Sequence, residues 1–185
     1  ILQTLKNIKM SKILIIYSST DGQTKLICNR IKNNLNNESE VKVITIDDAE
    51  KENISAYKNL MIGASIRYGK HSDKVYKFIK QNKRLLDKKN TAFFSVNVVA
   101  RKPEKNTADT NPYIQKFLKI TNWRPGLLTV FAGKIDYKKY RFFDKQIIRF
   151  IMFITKGPTD TSGVYEFTNW ENVDAFAKEF DRTCI

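Results

Sequence analysis

Lys12-Ile13-Leu14-Ile15-Ile16-Tyr17, followed directly by Ser18-Ser19-Thr20-Asp21-Gly22-Gln23-Thr24, decides how this chain folds. The first half is an uninterrupted, largely β-branched apolar run, the pattern of a strand buried on both faces. The second half is rich in hydroxyls and carries one glycine. An amphipathic helix over Gln23–Leu35 follows at once, with Ile27, Ile31 and Leu35 recurring every fourth residue. A buried strand that turns in this way into a helix is where α/β proteins take up phosphate. Backbone N–H groups point outward there, and the helix dipole favours an anion.

The turn lacks the Gly-Lys-Ser/Thr ending of a nucleoside-triphosphate loop and the three glycines of a dinucleotide fingerprint. No Lys or Arg lies between Ser18 and Gln23. A turn that holds phosphate with amides and hydroxyls alone suits a monophosphate such as that of FMN. The hydroxyls of Ser18, Ser19, Thr20 and Thr24 add neutral hydrogen bonds, and Asp21, Gly22 and Gln23 complete the turn. The alternative is an ordinary Ser/Thr/Gly turn that caps a helix.

Outward from this stretch, strands and helices alternate. Val41–Ile46 reads as a short lateral strand. A third strand, through Leu60-Met61-Ile62, stops at Gly63. The loop Gly63-Ala64-Ser65-Ile66-Arg67-Tyr68-Gly69 then leaves the carboxyl end of the sheet, where ligands of open α/β folds sit. Its small residues admit a flat ligand, Tyr68 can stack on an aromatic ring, and Arg67 can meet an anion. A plain connection with a surface arginine is the alternative.

Ser72–Leu86 is a helix with Val75, Phe78, Ile79 and Leu86 inward and a lysine-rich solvated face. Thr91–Val96 is a fourth buried strand. Beyond Ser95, Val96, Asn97, Val98 and Ala100, a long polar loop carries Arg101, Lys102 and Lys105; loops of this length often serve function. Asn111-Pro112 caps and starts a helix. Leu127–Ala132 is a fifth strand, and Thr168-Asn169-Trp170-Glu171 reads as a capping box opening the last helix. This order predicts an α/β fold: a doubly wound, five-stranded parallel sheet with helices on both faces.

The 185 residues read as one domain over 10–182, with Ile1–Lys9 an extension ahead of a natural start at Met10. One histidine, His71, rules out a multi-histidine metal site and argues against a histidine-based triad, and two distant cysteines, Cys28 and Cys184, form no metal-spaced cluster and read as free thiols. The formal charge of +14 attracts anions: nucleic acid, anionic lipid or a carboxylated substrate. No apolar run approaches the roughly 18 residues of a membrane span.

Between the fifth strand and the last helix, Lys134–Val164 is an insertion about thirty residues longer than such a connection needs. Read as a helix over Tyr137–Lys156, it sets Tyr140, Phe143, Ile147, Phe150, Ile151 and Ile154 on one side and Lys138, Arg141, Lys145 and Arg149 on another. A basic, amphipathic, aromatic-rich helix is a membrane-interface element. Each cation contributes on the order of 1 kcal/mol at an anionic surface. Packing on the protein's own core, or a dimer interface, is the alternative. Val164–Phe167 is expected to pair with the sheet edge.

Taken together, these residues resemble a known family. Ser18–Thr24 resembles the phosphate turn of flavodoxin-like proteins. Gly63–Gly69, Ser95-Val96-Asn97, Val99–Lys105, Trp123-Arg124-Pro125 and Thr159-Asp160-Thr161 look like one branch, the flavodoxin-like, menaquinone-dependent protoporphyrinogen dehydrogenases of bacterial heme biosynthesis. The branch is similar to long-chain flavodoxins but carries its own insert. The likeness runs from Met10 to about Arg182. Lys70-His71 departs from its pattern, so the likeness assigns His71 no role.

The resemblance implies an FMN enzyme that takes six electrons, in three two-electron steps, from protoporphyrinogen IX. It implies a quinone, menaquinone, as acceptor at the cytoplasmic face of the inner membrane, reached as a peripheral protein. FMN phosphate is expected on Ser18–Thr24, with the ring framed by Ala64–Gly69 and Ser95–Ala100. Arg67, Arg101, Lys102 and Lys105 are expected to meet substrate carboxylates, and no catalytic base is implied. Rival readings are an NAD(P)H:quinone reductase of the same fold, a flavodoxin-type electron carrier and a nucleic-acid-binding module. The charge argues against a carrier, and the loops argue against nucleic acid.

Overall fold

In the computed structural model, which describes residues 11–36 and 39–184, Ile13, Leu14, Ile15 and Ile16 are fully buried. The reason lies on either side of them. Strand β1 (Lys12–Ser18) pairs in parallel with β2 (Glu40–Thr45) along one edge and with β3 (Asn59–Arg67) along the other. Helix α1 (Gln23–Asn34) makes the first crossover. The expected extension over Ile1–Lys9 and the start at Met10 lie outside the described residues.

After β3 come β4 (Lys70–His71), α2 (Asp73–Leu86), β5 (Asn90–Val96), α3 (Pro112–Thr121) and β6 (Leu127–Phe131). The insertion supplies β7 (Lys134–Asp136), α4 (Phe142–Ile154) and β8 (Val164–Glu166), and α5 (Trp170–Thr183) closes the chain. Five strands run parallel in the order β2-β1-β3-β5-β6, and β4 adds a sixth, antiparallel to β3.

The pleat sorts side chains to two faces. Leu14 and Ile16 join α2 and α3 residues Val75, Phe78, Ile79, Ile114 and Phe117. Ile13 and Ile15 join α1 and α5 residues Ile27, Ile31, Val173, Phe176 and Phe180. Trp123, fully buried, packs edge-on against Phe93 and Phe117. Cys28 and Cys184 are both free thiols. Burial pushes the Cys28 thiol far above its ordinary range, so it stays protonated and inert.

Several expectations need correction. The third strand does not stop at Gly63. It continues to Arg67 because β4 folds back on it, pairing Ile66 with His71 and Arg67 with Lys70. The two-residue turn is Tyr68-Gly69, both at positive φ, 49° and 76°, the backbone that matches strand twist in tight hairpins. Gly63 is needed for a different reason: a Cβ there would lie 2.2 Å from the Phe94 ring.

Asn169, not Thr168, caps α5, accepting from the Asn172 N–H at 3.0 Å. The Thr168 hydroxyl instead donates to the Ala132 carbonyl at 2.8 Å. Val164–Glu166 does not join the main sheet; it pairs antiparallel with β7. Helix α4 starts at Phe142 because Tyr137–Lys139 is a separate single turn, capped by Asp136.

Candidate functional site

The chain steps outward from β1 to β2 and then returns to the other side of β1 as β3, so the switch point lies where Ser18 pairs with Ala64. The hydroxyl turn sits there. Gly22, at φ 90°, precedes the first helical residue, Gln23. Its N–H donates to Ser19 Oγ at 3.0 Å. The amides of the first helical turn have no acceptor within the helix.

Thr24 is fully buried, and its hydroxyl finds no partner among the described residues. A buried hydroxyl left unpaired costs about 1–3 kcal/mol, so this position is shaped for an acceptor the chain does not supply. Such an orphan beneath free amides fits a phosphate. Gln23 serves the turn by its backbone only. Its side-chain amide donates to Glu166 Oε1 and Thr168 Oγ1, each at 2.9 Å, bracing β8 and the start of α5. A cleft of about 450 Å³ on the flank of the turn is lined by Lys25, Lys134 and Lys139 among others.

The β3–β4 hairpin forms one wall. Ser65 Oγ donates to the Ser18 carbonyl at 3.4 Å, and Ala64 is buried. Arg67 Nη1 donates to Asp21 Oδ2 at 3.1 Å and Nη2 to Asp144 Oδ2 at 3.1 Å. Its guanidinium lies 5.1 Å from the ring centres of both Tyr68 and Tyr140. Burial works against its charge, but Asp21, Tyr68 and Asp144 outweigh that and raise its pKa. The Tyr68 hydroxyl donates to Asp144 Oδ1. The Tyr140 hydroxyl donates to Asp21 Oδ2 at 3.4 Å, and burial, then Asp21, pushes it up to about 12, so it remains a donor.

The loop after β5 forms the facing wall. Ser95 and Asn97 are buried. Asn97 Oδ1 accepts from the Ala100 N–H at 3.1 Å, and the Asn97 amide pairs with that of Asn111. Asn111 Nδ2 donates to the Lys105 carbonyl at 2.8 Å, so two buried amides fix the loop's path. Arg101 Nη1 donates to the Val98 carbonyl at 3.1 Å. Its Nη2 donates to the carbonyl and hydroxyl of Thr155, each at 2.8 Å. Lys102 and Lys105 are half-buried on the same loop.

Helix α4 therefore lies across both walls, held by Arg67 near its start and Arg101 just past its end. Met152 is its buried residue. Phe142, Phe143, Ile147, Phe150, Ile151, Phe153 and Ile154 are exposed, Phe143 at 78%. Arg141 and Arg149 are exposed beside them, and Lys145 is half-buried. Tyr140 departs from the expected membrane face: it is buried against Asp21 and Arg67.

Arg67 and Arg101, expected to be free for substrate, are engaged by the insertion. Sequence reasoning overlooked Asp144, Thr155 and His71. The cue for Asp144 was its place as a lone acid in a basic helix. His71 is 1% exposed, with Nε2 near Ser95 Oγ and its ring edge-on to Phe93 and Phe117.

Strand order, switch-point turn and two flanking walls define a flavodoxin-type α/β protein. Flavodoxin 1 of Bacillus cereus superposes with a TM-score of 0.56 at 17% identity, covering 93% of this chain and 98% of that one. Flavodoxin 2 of the same organism gives 0.54 at 20% identity, covering 94% and 99%. The flavodoxin domain family matches residues 14–162.

A protein of Leishmania major named protoporphyrinogen IX dehydrogenase (quinone) is 43% identical over 171 residues, covering 91% of this chain and 74% of that one. The protein of the same name from Escherichia coli K12 is 40% identical over 169 residues, covering 91% and 93%. The chain thus belongs to the flavodoxin-domain family and, within it, to the protoporphyrinogen IX dehydrogenase (quinone) group of oxidoreductases.

Proposed function

We propose that this chain uses FMN to oxidise protoporphyrinogen IX to protoporphyrin IX, with a quinone, menaquinone, as acceptor, in heme biosynthesis. The observation that carries it is the Thr24 hydroxyl, buried and unpaired beneath the first-turn amides. It occurs in a chain 40–43% identical to proteins named for that reaction. Thr24 and the open amides of the Ser18–Gln23 turn would hold a single phosphate group without a cation, the Gly22 N–H resting on Ser19 Oγ. Ala64–Gly69 and Ser95–Ala100 stand on either side of the switch point and frame a flat ring between them.

Held by the Ser18–Thr24 turn, FMN would supply two-electron transfer between substrate and acceptor. The protein's own part is to bind, orient and exclude water. Lys102 and Lys105 bring positive charge suited to carboxylates, while Arg67 rests on Asp21 and Asp144 and Arg101 on Thr155. Of the three protons that accompany the three hydrides, two come from pyrrole N–H groups and one from the remaining methylene bridge, and solvent at the open mouth takes them up. Two hydrogens leave the porphyrinogen in each of three rounds, and each round converts one quinone to quinol.

Among the described residues no helix is long and apolar enough to cross a membrane. We place the protein peripherally, at the cytoplasmic face of the inner membrane. The exposed phenyl and isoleucyl groups of α4 enter the headgroup boundary, and the flanking cations meet anionic lipid.

The test is an anaerobic assay of the flavin-loaded protein with protoporphyrinogen and a soluble menaquinone analogue, following porphyrin fluorescence. Fluorescence rising with quinol formation supports the proposal. NADH oxidation without porphyrin formation would replace it with a quinone reductase.

A further inference from the structure

Asp144 belongs to the insertion, yet both of its oxygens are held by the hairpin wall. Arg67 Nη2 donates to Oδ2 at 3.1 Å, and the Tyr68 hydroxyl donates to Oδ1. Two donors meeting the two oxygens of one carboxylate form a carboxylate-recognition geometry. Arg67 does not owe its placement to Asp144 alone. The other arm of Arg67 is fixed on Asp21 at 3.1 Å, and the guanidinium is held between the Tyr68 and Tyr140 rings.

Tyr68 is 62% exposed and sits at φ 49°, a left-handed conformation that a bulky residue seldom adopts. That backbone is the one the two-residue hairpin turn requires, and it leaves an exposed aromatic with its hydroxyl on a carboxylate. Helix α4 buries little of itself, so its first turn is weakly held apart from this contact.

We propose that Arg67 and Tyr68 are a carboxylate clamp for the substrate, filled at rest by Asp144 of the protein's own insertion. The inference rests on the porphyrinogen reading, whose substrate bears carboxylates on a flat tetrapyrrole. A substrate carboxylate replaces Asp144 on the same two donors. Arg67 keeps one anion on each arm throughout. The start of α4 is released by the exchange, while Thr155 stays on Arg101. Binding of substrate and lifting of the helix from the mouth are then one event.

The test uses the flavin-loaded full chain titrated with protoporphyrin IX and with its dimethyl ester, read by porphyrin fluorescence polarisation. Asp144→Ala is expected to bind the diacid about tenfold tighter than the unsubstituted protein, with the ester within twofold. Tyr68→Phe and Arg67→Met are expected to weaken the diacid about tenfold and spare the ester. Unchanged or weaker diacid binding by Asp144→Ala overturns the clamp, as does a parallel change in the ester.

Benzoate serves as a bare carboxylate probe, read on the Arg67 Nε–H resonance. A shift in Asp144→Ala but not in the unsubstituted protein supports the clamp even where neither porphyrin binds, an outcome that overturns the porphyrinogen reading alone. No shift in Asp144→Ala overturns the clamp.

Discussion

His71 Nε2 lies 2.9 Å from Ser95 Oγ, and neither side chain reaches solvent. The pair joins the β3–β4 hairpin to the end of β5, and so ties one wall of the site to the other. Tyr76 OH, 3.5 Å from Nδ1, closes the other side of the ring. Burial lowers the histidine from its ordinary 6.5 to about 4, so the folded protein keeps it neutral.

The unfolded chain takes up this proton near pH 6.5 and the folded one only near 4. Stability from His71 is therefore full above pH 6.5 and falls as pH drops toward 4, by roughly 1.4 kcal/mol per pH unit. Thermal melts from pH 7 to 4 should show this slope, and His71→Gln should remove its share of it. An identical slope in His71→Gln would refute the assignment.

The Thr24 hydroxyl is an unpaired group until a ligand arrives. Thr24→Val keeps the shape of the side chain and should leave thermal stability equal or higher. It should weaken FMN by about tenfold, the worth of one hydrogen bond to a charged group. Fluorescence titration of the apoprotein reads both the affinity and, by its plateau, the folded fraction. Full FMN affinity in Thr24→Val would remove the turn from the phosphate site.

Phe143, Phe150 and Phe153 are exposed on α4 and lie outside the buried clusters. Changing all three to serine should leave the melting temperature within a few degrees. A buried phenyl side chain contributes roughly 1.5–3 kcal/mol, so partition onto anionic vesicles should fall about a hundredfold or more. Co-sedimentation at low and high salt separates the apolar share of binding from the ionic one. Unchanged partition would return the helix to a protein-facing role.

Gly63→Ala brings a methyl to within 2.2 Å of Phe94 Cζ. Overpacking of this kind costs roughly 1–3 kcal/mol. Because Gly63 stands beside Phe94 in the β3–β5 register, Phe94→Leu in the same chain should recover part of the loss. Chemical denaturation of the two variants checks both the sign and the rescue.

The sheet was legible in sequence because a strand buried on both faces has no polar alternation to confuse it. Ile13 to Ile16 and Ala92 to Phe94 bear this out. The cap at Asn111 was legible because side-chain geometry at a helix start is local. Gly63 misled because glycine punctuates turns more often than it relieves crowding, and the Phe94 ring that decides the matter belongs to a neighbouring strand.

Thr168 misled because its hydroxyl had a better acceptor in Ala132, just past the end of β6 and distant in sequence. Within the site, the hydroxyl turn and both walls could be read locally. The engagement of Arg67 and Arg101 could not, because it depends on where the insertion lands, and no local periodicity encodes that.

The β7–β8 pairing places Asp136 beside Val164, so the insertion leaves and re-enters the parent fold at one point. It is a portable cassette. Replacing 137–163 by a two-residue turn closes the strands into a hairpin and keeps Glu166 and Thr168 on Gln23. The shortened chain also loses Tyr137, Tyr140 and Met152 from the small core around Ile135. Grafting the segment onto another frame would also require a partner surface for the small core that Tyr137, Tyr140 and Met152 form with Ile135, Val98, Tyr165 and Phe167.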